Sequence, residues 1–434
     1  MKKKLLCALL TACTVLLLTG CELWDHYTLE SLALPAATAE DIAGLEEYRK
    51  LGLVDFSGST CYDDIEAYKA AHPEVEVIYT VDVLGNALSP ETDKLNLSTM
   101  DAALLPELLE DIAYLHQLRS IELMPDEGPS PLSPTDVKTI MDAYPDLELH
   151  YSFDLFGQTL DLTTERVEYV QQDIGDEGAD AIRAALDIMP NCTYFKVDRC
   201  GFSSPVLAQI QEEYPNTKIV WRVFYGLRAN GTQLNALTDE TVIRSSHYLN
   251  NGNVEEMKYL TSVKYMDIGH NEVLTDVSFL QYMPDLELLI ISGSTLKDLS
   301  PLANAKNLEF LELCFCGMLQ DLSPLAGCEN LKYLNISGTD VRDLSPLKEL
   351  PIERFNCILN PRMPSGTKNE FVDAHPECLT VYEGKQPYGY GWRYVDNGYT
   401  FWDYYATMRE MFHYDELALL NGYDWDEATK NDPW

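Results

Sequence analysis

Basic residues are scarce in this chain of 434: 31 lysines and arginines stand against 70 aspartates and glutamates, a formal charge of −39. Such a surface repels nucleic acid and anionic lipid headgroups and favours solubility and cationic or neutral ligands, so no nucleic-acid partner is expected. The eight histidines are scattered, and none falls in H-E-x-x-H. G-x-S-x-G, a P-loop, a dinucleotide fingerprint and a D-x-[DN]-x-[DN]-G calcium loop are also missing. No catalytic residue, cofactor or metal site is therefore expected. Adjacent acids such as Asp63-Asp64 and Glu255-Glu256 arise by chance at this acid content, and a glycosidase-like carboxylate pair stays open. The cysteines include no C-x-x-C, and Cys314-Phe-Cys316 has the wrong spacing for a redox pair. Cys192 and Cys200 flank one strand unit, and their pairing is left open. No apolar run reaches the ~20 residues needed to span a bilayer.

What the N-terminus does have is Met1-Lys-Lys-Lys4, an apolar run from Leu5 to Leu18, and Leu18-Thr-Gly-Cys21. That is the layout of a secretory signal. Its ending resembles the lipobox of bacterial lipoproteins, which implies cleavage before Cys21 and acyl chains on that residue. The signal peptide is then 1–20, followed by a tether over 21–38. Removing the signal takes away three lysines and no acid, which leaves −42. The expected location is the outer face of a cell membrane, held by lipid on Cys21, with a Gram-positive envelope favoured. Thr38-Ala-Glu-Asp41 reads as a helix start.

One phrase recurs through the second half of the chain. Leu296-Lys-Asp-Leu-Ser-Pro-Leu302 returns at 319–325 and 341–347, with a looser copy at 274–280 in which Phe279 replaces the proline. Between the copies stand Leu308-Glu-Phe-Leu-Glu-Leu313 and Leu331-Lys-Tyr-Leu-Asn-Ile336, each an L-x-x-L-x-L. A period near 22 residues marks a solenoid whose coils bury their apolar side only by stacking. The regular repeats occupy 251–360. Inward positions include Met266, Ile268, Leu311, Leu313, Phe355 and Cys357. The proline cannot extend a ladder and suits a short 3₁₀ return segment.

These repeats resemble the internalin-type leucine-rich repeats of bacteria. The resemblance implies an α/β leucine-rich repeat solenoid, with parallel strands on the concave face and helices or 3₁₀ turns on the convex face. It also implies a partner on the concave strands. The outward residues there are Tyr265 and Asp267, Leu288 and Ile290, Phe310 and Glu312, Tyr333 and Asn335, and Arg354 and Asn356. This aromatic and apolar row with a few charges has the composition of an interface core. The position after each strand, asparagine in such repeats, is Asn271 once and then Ser294, Cys316 and Thr339, which weakens any asparagine ladder.

Residues 39–250 carry a longer, degenerate repeat of about 70 residues. Ala71-His-Pro-Glu-Val-Glu-Val-Ile-Tyr79 is echoed from Ala143 and from Glu213. Each proline stops a helix and precedes an alternating strand, and the glycine after that strand announces a hairpin. Short strands upstream (54–56, 121–123, 195–197) complete three helix–strand–helix–strand units, read as irregular α/β coils stacked in continuation with the regular array. His72 and His375, each before a turn proline, read as structural.

Residues 361–434 are read as a last coil and an aromatic C-terminal cap. Fourteen of the 49 residues from 386 on are aromatic, and Phe401, Tyr404, Tyr405, Met408 and Phe412 keep helical spacing. Either these helices close the end of the core, or Trp392, Tyr399 and Trp402 form a platform for sugar rings. The function expected is non-catalytic binding of an extracellular protein or glycan. A structural component of the cell envelope is the alternative, and a carbohydrate-active enzyme a lesser one.

Overall fold

A computed structural model describes residues 26–228, 230–396 and 399–414. Cys21 and the residues from Asp415 onward lie outside them. The chain divides into two compact bodies, Met1–Glu165 with Asp180–Cys192, and Arg166–Ala179 with Thr193–Trp434.

The first body holds two three-stranded parallel sheets. One is β1 (Ser31–Ala33), β2 (Leu53–Asp55) and β3 (Glu76–Ile78), linked by helices α1 (Ala39–Gly44) and α2 (Tyr62–Ala71). A hairpin of β4 (Val81–Val83) and β5 (Asn86–Leu88) follows. The pattern repeats as β6 (Lys94–Asn96), α3 (Leu105–Asp111), β7 (Ser120–Glu122), α4 (Pro134–Ala143) and β8 (Glu148–His150), then hairpin β9 (Ser152–Leu155) and β10 (Gln158–Asp161). Helix α5 (Ala179–Ile188) also lies in this body but for its first residue. The helix start at Thr38 is a capping box: the Asp41 amide donates to the Thr38 hydroxyl and the Thr38 amide to the Asp41 carboxylate. Ser133 and Asp136 do the same for α4.

These sheets correct the expected two-strand unit. Each long repeat has a third, leading strand, here β1 and β6. Register partners Ser31, Leu53 and Glu76, and Lys94, Ser120 and Glu148, sit 22 to 28 residues apart, so the 70-residue repeat is itself made of coils of that length. β1 also lies inside the segment read as a tether. Three-residue strands with one inward side chain, Leu32 or Leu95, show no alternation to detect.

The second body opens with a third such unit: β11 (Arg166–Val170), β12 (Tyr194–Asp198) and β13 (Lys218–Leu227) run parallel, and β14 (Gln233–Leu237) returns antiparallel to β13. Helix α6 (Ser204–Glu213) packs on one side, where the Trp221 indole donates to the Ser204 hydroxyl. On the other side Arg222 makes two 2.7 Å bonds to Asp198.

Next comes a seven-stranded parallel sheet: β15 (Val242–Arg244), β16 (Tyr265–Asp267), β17 (Leu288–Ile290), β18 (Phe310–Glu312), β19 (Tyr333–Asn335), β20 (Arg354–Asn356) and β21 (Leu379–Val381). The expected inward residues are buried throughout. β15 begins before residue 251, where the regular array was expected to start, because Val242-Ile-Arg244 carries one inward apolar residue and no L-x-x-L-x-L. Helix α7 (Ser365–Ala374) leads into β21 as the last coil. The stacking of parallel three-residue strands at this period, with short returns between them, is a leucine-rich repeat.

Local chemistry explains the repeated phrase. In Asp-Leu-Ser-Pro-Leu the aspartate accepts from the serine amide two residues on, at 2.8 Å for Asp298, Asp321 and Asp343. That turn starts a 3₁₀ segment with proline at its second position. Phe279 replaces the proline without loss, since Asp276 still accepts from the Ser278 amide. The place of an asparagine ladder is filled by mixed donors. Asn271 donates to the Ile268 carbonyl, the Cys316 thiol to that of Ile291, the Thr339 hydroxyl to that of Ile336, and Asn360 to the same Ile336 oxygen.

Pre-proline residues terminate the helices. His72, Tyr144, Tyr214 and His375 all leave the α region, with ψ between 65° and 73°. The buried His375 ring meets the carbonyls of Phe371 and Leu350, both at 3.1 Å, and Tyr144 donates to Leu109. These side chains brace one coil on the previous one. Cys200 is a reduced thiol bonded to the Asp198 carbonyl, so no Cys192–Cys200 bridge forms. Cys357 packs in the core, where burial pushes its thiol up to about 12.

Candidate binding face and its occupant

Each three-residue strand of the large sheet turns its middle residue inward and its first and third outward. Register aligns Tyr265, Leu288, Phe310, Tyr333 and Arg354 in one line and Asp267, Ile290, Glu312, Asn335 and Asn356 in a second. All ten residues singled out in the sequence therefore share one face. An open face was the expectation, with shielding by the chain's own C-terminal segment as the alternative. The face is covered: Phe310 and Asn335 are 0% exposed, Leu288 and Asn356 1%, and Glu312 2%.

The cover is the chain's own C-terminal segment, residues 387–414. It enters over β19 and β20, where the amides of Asn335 and Asn356 both donate to the Pro387 carbonyl at 3.0 Å. Gly391 then passes close above β21. Its φ is +84°, and a Cβ there would lie 2.3 Å from Val381 Cγ2, so only glycine fits. Arg354 donates to the Gly391 carbonyl (3.1 Å) and lies 4.1 Å over the Trp402 ring. Trp392, fully buried, donates its indole N–H to the Glu312 carboxylate and sets its ring 5.2 Å from Phe310.

Helix α8 (Asp403–Met411) crosses the middle of the face. Tyr405, Met408 and Phe412, one turn apart, pack against Leu288, Ile290 and Phe310. Tyr404 stacks on Phe310 (5.6 Å, 9°). Tyr414 ends the segment above β15 and β16, where its hydroxyl donates to Asp267 (2.7 Å) and its ring lies 4.5 Å from the Arg244 guanidinium. Each large side chain removed from water here contributes roughly 1.5–3 kcal/mol. The C-terminal aromatics were expected to lie over the end of the core; these contacts run along the strand face.

The acids under this segment, Glu312 and Asp267, are occupied. Glu312 takes the Trp392 indole and the Ser292 hydroxyl (3.1 Å), yet burial dominates and holds its carboxyl above the ordinary carboxylate range. Asp267 accepts from the Gly269 amide as well as from Tyr414. Arg393 is buried between the rings of Tyr388 and Tyr405, with centroids at 4.2 and 5.4 Å. Burial lowers the pull of Arg354 on its proton.

The expected sugar platform is not formed by its three residues together. Trp392 is inside, and Trp402 faces Arg354 and Tyr333. Tyr399 is exposed, as are Tyr390 and Val395. Sequence reasoning missed Arg244, Arg393 and Tyr414 as parts of this face. The signal was the aromatic density beyond residue 386, but nothing in the chain states which surface those rings cover. Among the described residues no group of three or more His, Cys, Asp or Glu is placed to hold a metal, and no helix is long and apolar enough to cross a membrane.

No protein-family model matches the chain, and no curated protein does. Solved structures similar to it include the following three. An internalin C2 from Listeria monocytogenes is 21% identical, covering 34% of this chain and 75% of its own, with a TM-score of 0.26. A second Listeria monocytogenes internalin is 15% identical over 81% and 86%, at 0.27. A leucine-rich repeat protein of Leptospira interrogans is 14% identical over 84% and 98%, at 0.30. The assignment of the fold stands on the strand register and repeat hydrogen bonds above.

Proposed function

We propose that this chain is a non-catalytic extracellular lipoprotein, held to a membrane through acylated Cys21, that binds a protein through its leucine-rich repeat surface. One observation carries the choice of a protein ligand over a glycan. The outward face of the seven-stranded sheet already holds a polypeptide, reading its backbone carbonyls with Asn335, Asn356 and Arg354 and enclosing its aromatic side chains. The acids on that face hold donors and have no free role as acid or base.

The anchor rests on the lipobox-like Leu18-Thr-Gly-Cys21. Cys21→Ala is expected to move the protein from the membrane fraction to the medium; retention in the membrane sinks that part. Binding is tested on whole cells with a photo-crosslinking residue placed at half-buried Tyr265 or Tyr333 of the strand face. A recurrent cross-linked protein supports the reading, and its absence from both positions refutes it. A structural envelope component draws on the same burial, if the covered face is permanent; self-association in light scattering without a cross-linked partner favours it.

A further inference from the structure

Residues 387–414 cover the face that the proposed binding role needs. The question is whether they belong to the core or stand in a partner's place. Three observations favour the second. The segment joins the sheet through one connection, 382–386, and every residue of it is exposed. The core beneath is complete without it, because the inward residues of β16 to β20 are enclosed by their own coils and the sheet bonds are internal.

The third observation is the quality of the contact. Among the described residues, four buried side-chain polar atoms lack a partner, and three of them lie at this contact: Arg244 Nη1, Arg393 Nε and Trp402 Nε1. Native interiors satisfy nearly all such groups. Arg244 Nη1 belongs to the face, and Arg393 Nε and Trp402 Nε1 to the segment, so neither side of the contact is fully matched to the other.

We infer that residues 387–414 are an intramolecular stand-in for a protein partner, which displaces them and binds the same face. This rests on the binding reading above. The partner is a polypeptide of related chemistry. It offers backbone carbonyls to Asn335, Asn356 and Arg354, an indole or other donor to Glu312, and an aromatic helix face to Leu288, Ile290 and Phe310. It also supplies an acceptor to Arg244 Nη1, which the resident segment does not. A short linker gives the resident segment an effective concentration on the order of 1 mM. If the segment by itself binds the face with a dissociation constant of about 1 µM, any partner is held back roughly a thousandfold until the segment leaves.

The probe is a labelled synthetic peptide of residues 386–414, added in trans to the full chain and followed by fluorescence anisotropy. Trp392→Ala with Tyr405→Ala weakens the resident segment and leaves the face intact. This variant is expected to bind the peptide at least 100-fold more tightly than the native chain, and a peptide lacking the tryptophan equivalent to Trp392 is expected to bind weakly. Trypsin reports opening through cleavage at Arg393 and Arg409. If the segment opens, the sheet melts as before and the peptide does not bind, the inference is overturned, while cross-linking from Tyr265 or Tyr333 of the strand face still decides the binding reading by itself. If the double variant unfolds as a whole, Tyr414→Phe is the second arm, since it removes one hydrogen bond and keeps the ring. Faster cleavage at Arg409 with an unchanged melt supports the stand-in; unchanged cleavage in that variant makes the segment part of the core and overturns it.

Discussion

Phe310 and Leu311 are neighbours on β18, both fully buried, and they point to opposite sides of the sheet. Phe310 meets Trp392, Tyr404 and Tyr333 of the outward face; Leu311 is an inward residue of the repeat core. Replacing either with alanine removes a similar amount of buried surface. A buried Phe→Ala change costs about 3–5 kcal/mol and Leu→Ala about 2–5 kcal/mol. If the C-terminal segment opens as its own unit, the two losses fall on different equilibria. Phe310→Ala takes its cost from docking of 387–414. Every ~1.4 kcal/mol is tenfold in an opening constant, so amides of Trp392 and of α8 exchange roughly 100- to 1,000-fold faster while the global melt barely moves. Leu311→Ala takes its cost from the sheet and shifts the melt itself. Hydrogen exchange read by mass spectrometry on peptides from 387–414 and from 331–336 separates the two. Equal protection loss in both regions for both variants refutes the reasoning, because the segment and the sheet would then be one cooperative unit.

Three further outcomes are expected. Burial holds the Glu312 carboxyl above its ordinary range. Its contribution is complete below the unfolded value of about 4.3 and is lost as pH rises through the folded one, so docking of 387–414 weakens as pH rises above the ordinary carboxylate range. Glu312→Gln should flatten that dependence in exchange measurements; an unchanged slope sinks the assignment. Gly338 has φ +71°, and a Cβ there would lie 2.8 Å from Phe315 Cδ1. Gly338→Ala should cost about 1–2 kcal/mol in urea unfolding, and no loss would mean that the ring simply moves aside. Asp198 is held below the ordinary carboxylate range first by its bonds to Arg222. The stability it adds is present above the unfolded value and lost as pH falls through the folded one. Asp198→Asn leaves a largely buried guanidinium without its counter-charge and should cost about 2–3 kcal/mol at neutral pH, with a weaker acid dependence than the native chain.

Much of the fold could be read before any coordinates. The inward leucines, the 3₁₀ returns after Asp-Leu-Ser-Pro-Leu and the hairpins after each proline–strand phrase are local. Each depends on a few residues close in sequence, such as Asp298 beside Ser300, or Leu84 and Gly85, whose positive φ values of 51° and 82° make the turn between β4 and β5. The strands at 31–33 and 94–96 escaped because pairing partners 22 and 26 residues away, rather than their own pattern, make them strands. Cys316 and Thr339 looked like breaks in an asparagine ladder, yet Cys316 reaches the Ile291 carbonyl of the previous coil and Thr339 the Ile336 carbonyl of its own.

The sequence by itself determined the repeat, its period, and which ten side chains face outward, because stacking coils of fixed length leaves each residue one place to go. Only the tertiary structure decided whether that face meets solvent. Trp392 lies 80 residues from Glu312, and Tyr414 147 from Asp267. No periodicity encodes such contacts. Apolar rings seek a surface to cover without naming it, and here the shape and donors of the strand face select it.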